Sequence, residues 1–269
     1  MWRIAREKAI LAGGPGALLL QVAHPLVAAG VVAHSDFESD PLWRLRRTLD
    51  TMLTVAFGDH AQAEAAVAGV AALHAHVRGV APSGGAGGPG GPGGPGGPGG
   101  TPYRADDPEL ALWVHATLVL SALRSFEDFV GPLDPNDKAG YYERYKVVGR
   151  LFGVTDEVMP ASYADFEAYV RHMEDDVLDV GDDARAIARG IFEATVVGPR
   201  WLSRHISQLA AAALLPPRLR QGYGLSWGPG YRATYAVLRR LVRPSLRLLP
   251  PGVRYWHHYR VATTRIGAT

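Results

Sequence analysis

Apolar residues recur along this chain at the three- to four-residue spacing of helices that bury one face, and alternating strand patterns are almost absent. Capping residues separate these segments. Asp40-Pro41 predicts the start of one helix that runs to Gly58, and Asp59 predicts the start of the next, which runs to Gly79. Further starts are predicted near Asp107, Asn136, Ser162, Asp182, Gly198 and Tyr231, with a kink or a break of the last helix at Pro244. The fold class that this pattern predicts is all-α.

The segment from Pro82 to Gly100 is a Gly/Pro repeat without any sizeable apolar side chain to bury. The repeat is too short and isolated for a collagen triple helix, and its composition predicts a disordered surface loop. Its deletion should leave the fold intact, because no apolar contact is lost. We therefore predict one domain over residues 1–249 with this loop inside it, followed by a C-terminal tail at 250–269.

Composition narrows the chemistry that the chain can carry. With 47% hydrophobic residues the chain can bury a sizeable core, and 28 Lys+Arg against 26 Asp+Glu give a net charge of +2. The basic residues do not form one sequence block, so we expect no nucleic-acid partner. The absence of cysteine excludes disulfides, cysteine-ligated iron–sulfur clusters, thiolate-bound haem and Cys-type zinc sites. Any haem or metal must be held by His, Tyr, Met or carboxylate.

The stretch from Ala9 to Ala33 contains no Asp, Glu, Lys or Arg and is long enough to consider as a membrane span. Gly and Pro interrupt it, and Gln21 and His24 would lie near its middle, so a pair of buried helices is favoured. We expect a cytoplasmic protein without a strong membrane signal. Peripheral association stays open because of the aromatic run from Tyr255 to Tyr259, although a packed C-terminal segment is the plainer account.

Polar residues recur among the apolar ones between Gln21 and Arg78. Burying such groups costs several kcal/mol unless each finds a partner, so their recurrence predicts a polar site inside an apolar shell, with a bound cofactor as the simplest partner. The candidates in this stretch are His24, His34, Arg44, Arg47, Thr48 and His74.

Helix geometry sorts these candidates further. Arg44, Arg47 and Thr48 fall at i, i+3 and i+4 and therefore share one helix face, as a half-buried polar strip. His74 shares its face with apolar residues such as Val67, whereas His76 lies off that face, so His74 is predicted to be the buried one. A core histidine bonded to a carbonyl remains the alternative.

Arg44-x-x-Arg47-Thr48 followed about one helix later by a lone His resembles the haem pocket of the rubber oxygenases (latex clearing proteins). The wider pattern is similar to the oxygenase MpaB family, which shares this catalytic domain, and it extends from Trp2 to about Trp227. Its blocks are ALLLQVAHPLVAAGVVAHSDF, DPLWRLRRTLDTMLTVAFGD, LHAHVRG and DPELALWVHATLVLSALRSFE. The resemblance implies a single-domain multi-helix bundle that is globin-like in enclosing a haem b.

The resemblance also implies roles for individual residues. His74 would be the axial iron ligand, Arg44, Arg47 and Thr48 would lie near the distal side or the propionates, and His115 would be a second-shell residue close to the haem. A satisfied core histidine remains the alternative for His115. His24 and His34 are candidates for distal or second-shell roles, with helix-end hydrogen bonding as the alternative for His34. Arg47 stands where the rubber oxygenases carry Lys, which puts lysine's proposed gating role in doubt, because Arg stays charged and donates in a planar fork. The glutamate proposed as catalytic in the rubber-cleaving branch has no matching position.

By this resemblance the chain is a haem b-dependent oxygenase that uses dioxygen or peroxide to oxidise a small apolar substrate, for example an isoprenoid. A non-catalytic haem-binding or gas-sensing protein is the main alternative, and a helical module without cofactor is the third. His34-x-Asp36 with a later His also has the spacing of a non-haem iron triad, but that motif normally lies on a β-jelly roll and is less favoured. The substrate, the electron donor and the oligomeric state are left open.

Overall fold

The computed structural model describes residues 1–34, 41–81, 100–193 and 199–267, with only the backbone of residues 41–45. Within these ranges the chain is helical apart from one two-stranded sheet, so the all-α prediction is confirmed.

The first part of the chain folds into five helices and a 3₁₀ helix. They are α1 (Trp2–Ala5), the 3₁₀ helix (Lys8–Gly13), α2 (Gly14–Val22), α3 (Pro25–His34), α4 (Pro41–Phe57) and α5 (His60–His74). The predicted cap of α5 is present, because an Asp59 carboxylate oxygen accepts from the backbone N–H of Gln62 at 2.8 Å.

The uncharged stretch near the N-terminus forms two helical segments instead of one straight span. Lys8–Val22 and Pro25–His34 meet at 100°, with the bend at His24. No single helix in the described ranges is long and apolar enough to cross a bilayer, although this bent pair passes by length and composition when taken together. Leu19 and Leu20 of α2 are fully buried in the core.

An antiparallel pair of strands flanks the Gly/Pro repeat. Strand β1 (Arg78–Ala81) pairs with β2 (Thr101–Arg104), with Ala81 opposite Thr101 and Arg78 opposite Arg104. Each strand has four residues, which is too short for alternation to be visible in the sequence. The two ends of the repeat are therefore neighbours across the ladder, and the predicted disorder of its residues 82–99 lies outside the described ranges.

The described residues after 104 form nine helices and a π-helical turn. They are α6 (Pro108–Phe129), α7 (Pro135–Leu151), α8 (Tyr163–His172), the π-helical turn (Met173–Val177), α9 (Asp182–Glu193), α10 (Arg200–Leu214), α11 (Pro217–Gly222), α12 (Pro229–Leu248), α13 (Pro251–Arg254) and α14 (His257–Gly267). A break at Pro244 is absent, since α12 continues through it to Leu248, and the alternative of a kink there stays a prediction.

Helix α6 is the central element of the core and packs against the 3₁₀ helix, α2, α7 and α12. Trp113 is completely buried, and its indole N–H donates to the carbonyl of Leu20 at 3.0 Å. The Gln21 amide donates to the Thr117 hydroxyl at 2.9 Å. These bonds satisfy buried polar groups between α2 and α6, so Gln21 is a structural residue of this interface.

The segment after residue 249 packs back onto the N-terminal part of the chain. Trp256 and Tyr259 join a cluster with Leu53 and Phe57, which confirms the packed account of these two rings. The Arg254 guanidinium also makes a bidentate ion pair with Glu7, at 2.7 and 2.8 Å. Glu7 is only 1% exposed, so this pair neutralises a buried charge. The division at residue 249 stays a prediction.

Candidate functional site

Three of the predicted histidines lie on segments that meet around the sheet and the start of α6. His24 occupies the bend between α2 and α3, His34 ends α3, and His74 ends α5 four residues before β1. Helix α3 packs against both strands and α2, and its ten residues separate His24 from His34 by about 15 Å. We call His24, His34 and His74 the histidine group.

His74 differs from the rest of the histidine group in the hydrogen bonding of its imidazole. It lies on the helix face of Ala63, the buried residue of α5, as the helical spacing predicts. The prediction that His74 is buried is nevertheless wrong, because its side chain is exposed. Among the described residues neither ring nitrogen has a hydrogen-bond partner. Partial burial lowers the pKa of His74, and Asp106 acts in the opposite direction, so the imidazole is neutral at pH 7 and available as a ligand.

His24 is held in a single tautomer by its own helix start. The backbone N–H of Leu26 donates to Nδ1 of His24 at 3.3 Å, so the proton of the neutral ring lies on Nε2. Burial lowers the pKa of His24 to about 4, with Asp107 acting weakly in the opposite direction. His24 is therefore a neutral hydrogen-bond donor through Nε2. With Nδ1 engaged as an acceptor, it is poorly suited to be a ligand itself.

His34 connects the end of α3 to the sheet. Its Nε2 donates to the carbonyl of Arg78 at 3.2 Å, and its ring stands edge-on to Tyr103 with the centroids 6.3 Å apart. This bond places the proton on Nε2 and leaves Nδ1 as an acceptor. His34 is exposed, so Nδ1 can meet a bound molecule.

Two carboxylates at the start of α6 accompany the histidines, and sequence reasoning treated them only as helix caps. Asp107 caps α6 by accepting from the N–H of Glu109 at 2.9 Å, and Asp106 forms a bidentate pair with Arg104. Asp106 raises the pKa of His74 and Asp107 that of His24, each against the larger lowering by burial. No signal in the sequence would have found them, because their place depends on the pairing of β2 with β1, the short strand that follows His74.

The arginine and threonine candidates lie on α4. Arg47 and Thr48 are both exposed, so the predicted half-burial is wrong for these two side chains. The side chain of Arg44 lies outside the part of the chain that the structure describes. Helices α4 and α5 are in contact and are joined through Gly58-Asp59.

His115 lies in a different environment from the histidine group. It is 4% exposed and stacks on Tyr145 of α7, with ring centroids 5.2 Å apart. Trp113 and Thr117, two residues away on either side, contact α2, so His115 points to the opposite side of α6. Its Nε2 is buried without a partner among the described residues, and burial lowers its pKa to about 4. The structure therefore does not bring His115 together with the other three.

No three His, Asp or Glu side chains converge in the described ranges to form a group that could hold a bare metal ion. The non-haem iron triad built on His34 and Asp36 stays a prediction, because Asp36 lies outside those ranges.

Comparison with known proteins agrees with this architecture. The profile of the family described as "ER-bound oxygenase mpaB/B'/Rubber oxygenase, catalytic domain" matches residues 1–244. The uncharacterized proteins Mb2261 of Mycobacterium bovis and Rv2237 of Mycobacterium tuberculosis are each 24% identical over 241 residues, which cover 87% of both chains. No solved structure matches. Since the profile spans most of its length, the chain belongs to the mpaB/rubber oxygenase catalytic-domain family.

Proposed function

We propose that this oxygenase-family protein is haem b-dependent, with His74 as the iron ligand, and that it oxidises a small apolar substrate with dioxygen or peroxide. The observation that carries the proposal is the state of His74. Its imidazole is accessible and neutral at pH 7, and neither nitrogen has a partner among the described residues. A neutral imidazole is the form in which histidine binds haem iron.

The surroundings of His74 also fit a haem. Leu73, the neighbour of His74 on α5, is 51% exposed, so an apolar side chain without a full protein partner lies next to this position. A porphyrin face would cover such side chains, and arginines on α4 and β1 would meet its propionates. When bound, haem would supply an iron centre at which dioxygen or peroxide is activated.

The chain's own residues would orient and donate. His24 would donate through Nε2, while His34 would accept through Nδ1. Arg44, Arg47 and Thr48 would supply further donors from α4. His115 has no part in this proposal, because it faces α7.

The cofactor is tested by titrating the purified protein with haem and recording the Soret band. We expect saturation at one haem per chain, loss of the band in His74→Ala, and retention in His76→Ala. His76 is the matched control because it is also exposed and lies two residues away, beyond the end of α5. A well-folded protein that takes up no haem, or equal losses in both variants, would overturn the proposal.

The oxygenase reaction is tested separately on the haem-loaded protein. Oxygen uptake that depends on an added isoprenoid alkene would support turnover. Reversible oxygen binding without consumption would favour the haem-binding or gas-sensing alternative.

A further inference from the structure

The charges of this chain are divided between its two parts, contrary to the expectation of evenly spread basic residues. All 26 acidic residues precede position 194, whereas residues 194–269 contain twelve arginines and no Asp, Glu or Lys. Only 16 of the 28 basic residues lie in the first part. The small net charge of +2 thus conceals an acidic part and a strongly basic one. Such asymmetry is typical of proteins that bind an anionic surface.

On the inner side of α12, two of these arginines bond to oxygen atoms of α6. Arg239 pairs with Asp128 of α6 at 2.9 Å, and the Tyr235 hydroxyl donates to the same carboxylate at 2.7 Å. Arg243 donates to the carbonyl of Glu127. These bonds and the packing of Tyr235 fix which face of α12 turns toward the core.

The outer side of α12 carries arginines that face solvent. Arg240 and Arg247 are exposed, lie two helical turns apart on one face, and have no carboxylate partner among the described residues. Arg232 lies on another face of α12, close to Arg220. Burial is the larger cause of the lowered pKa of Arg220, and the positive charge of Arg232 lowers it further. The positive charge of this helix is therefore only partly neutralised by the protein itself.

A strip of exposed apolar residues runs beside these arginines. Val237, Leu241 and Leu248 are 57%, 64% and 85% exposed, and their positions place them within a narrow arc of the helix next to Arg240 and Arg247. Leu249 and Val253 continue the exposed apolar residues beyond the helix end. Helix α10, which packs on α12, adds exposed Trp201, Leu202 and Ile206 together with exposed Arg204.

We propose that the outer face of α12 docks on an anionic lipid bilayer, with Leu241 and Leu248 entering the interface and Arg240 and Arg247 meeting lipid phosphates. Arginine beside leucine on an outward helix face is the pattern of helices that lie in the plane of a membrane surface. A second copy docked face to face would set arginine against arginine.

Nucleic acid would satisfy the arginines but not the apolar strip, because phosphate contacts gain nothing from exposed Leu and Val side chains. The bilayer is therefore the occupant that accounts for both features. This inference does not depend on haem, since it rests only on α12 and its neighbours.

The experiment is co-sedimentation of the full-length protein with vesicles of phosphatidylcholine alone or mixed equally with phosphatidylglycerol. We expect binding to the anionic vesicles only, weakened by added salt. The double variants Leu241→Asp/Leu248→Asp and Arg240→Gln/Arg247→Gln should each lower the apparent affinity at least about tenfold. Val147→Asp and Arg171→Gln are matched controls, because both residues are exposed on the acidic part and should leave binding unchanged.

Circular dichroism and thermal melting of every variant show that a loss of binding is not a loss of folding, since the substituted residues are all exposed. Failure to bind anionic vesicles would overturn the proposal. Binding that is lost with the arginine pair but kept with the leucine pair would also overturn it, and would indicate a general polyanion site such as one for nucleic acid.

Discussion

His74 and His115 are both helical histidines with lowered pKa values, yet they lie in opposite kinds of environment. His115 is enclosed between α6 and α7 and stacked on Tyr145, with no carboxylate contributing to its pKa shift. His74 is accessible, near Asp106, and next in sequence to the exposed Leu73. A lowered pKa alone therefore does not identify a site. Accessibility of a neutral ring nitrogen distinguishes a candidate ligand from a core histidine.

The largest expected effects are those of replacing His74 or His115, because the first substitution should remove a haem ligand and the second a buried side chain. His74→Ala should weaken haem binding by more than about a hundredfold while leaving the unfolding free energy of the haem-free protein nearly unchanged, since the side chain is exposed. His115→Ala should destabilise the protein by about 3 kcal/mol, because it leaves a cavity against Tyr145, while the folded fraction still binds haem. Haem titration measures the haem affinity of each variant, and urea unfolding measures its unfolding free energy. If His115→Ala abolished haem binding in the folded protein, the comparison would fail.

Lowering the pH should reduce the unfolding free energy through His115, the buried histidine of the two. The folded-state pKa of His115 is about 4, against 6.5 for an ordinary histidine. Its stabilising contribution is complete above pH 6.5 and is lost as the pH falls toward 4, because only the unfolded chain then takes up the proton. For His115 this amounts to about 3 kcal/mol by pH 4. His115→Phe, which keeps a ring against Tyr145, should flatten the decline in unfolding free energy between pH 6.5 and 4.

The control for this acid effect is His24, whose pKa is also lowered to about 4 by burial. Wild type and His115→Phe should both retain the acid sensitivity that His24 contributes. An identical pH profile for the two proteins would show that His115 becomes protonated in the folded state.

Thr48→Ala tests whether α4 belongs with the His74 side. Haem should stay bound, because Thr48 is not a ligand in the proposal, and oxygen consumption with an alkene should fall about tenfold through loss of one hydrogen-bond donor. Thr54→Ala, on the same helix but closer to the turn, is the matched control. An unchanged turnover rate in Thr48→Ala would remove this residue from the site.

The smallest expected effect is that of deleting most of the Gly/Pro repeat, which joins the two strands next to the histidine group. Removal of Gly84 to Gly99 leaves Pro82-Ser83-Gly100 between Ala81 and Thr101, a three-residue connection for strands already paired at those residues. Gly100 has φ of +87°, the backbone conformation that such a connection needs at its last position. The melting temperature should therefore change by less than about 2 °C. A large drop would mean that the repeat packs on the domain.

Particular elements show how far the sequence predicted this structure. The caps at Asp59 and Ser162 were predictable because a side-chain oxygen and the residue three positions later form a local pair that needs no tertiary information. The proline at Pro244 predicted a kink or a break, and the sequence could not exclude the break, because α12 tolerates the proline within a continuous helix. The strands at 78–81 and 101–104 were missed because they are separated by a long repeat and are too short for a periodic signal.

The candidate site was predictable only in part, because its geometry depends on tertiary contacts. Helical spacing predicted a buried His74, which is wrong, because the exposure of that helix face depends on what packs beside the end of α5. The proximity of Asp106 to His74 and of Asp107 to His24 depends on how β2 and α6 meet, which is a tertiary property. The opposite orientation of His115 required knowledge of which face of α6 meets α7.

The most direct test of the central claim, that His74 binds the haem iron, is chemical rescue of His74→Gly by imidazole. We expect this variant to lose the Soret band and to regain it in proportion to added imidazole, because the small molecule can enter the space of the missing side chain at an exposed position. Haem binding in His74→Gly that equals the wild type without imidazole would contradict the claim, as would a loss that no concentration of imidazole restores in a folded protein.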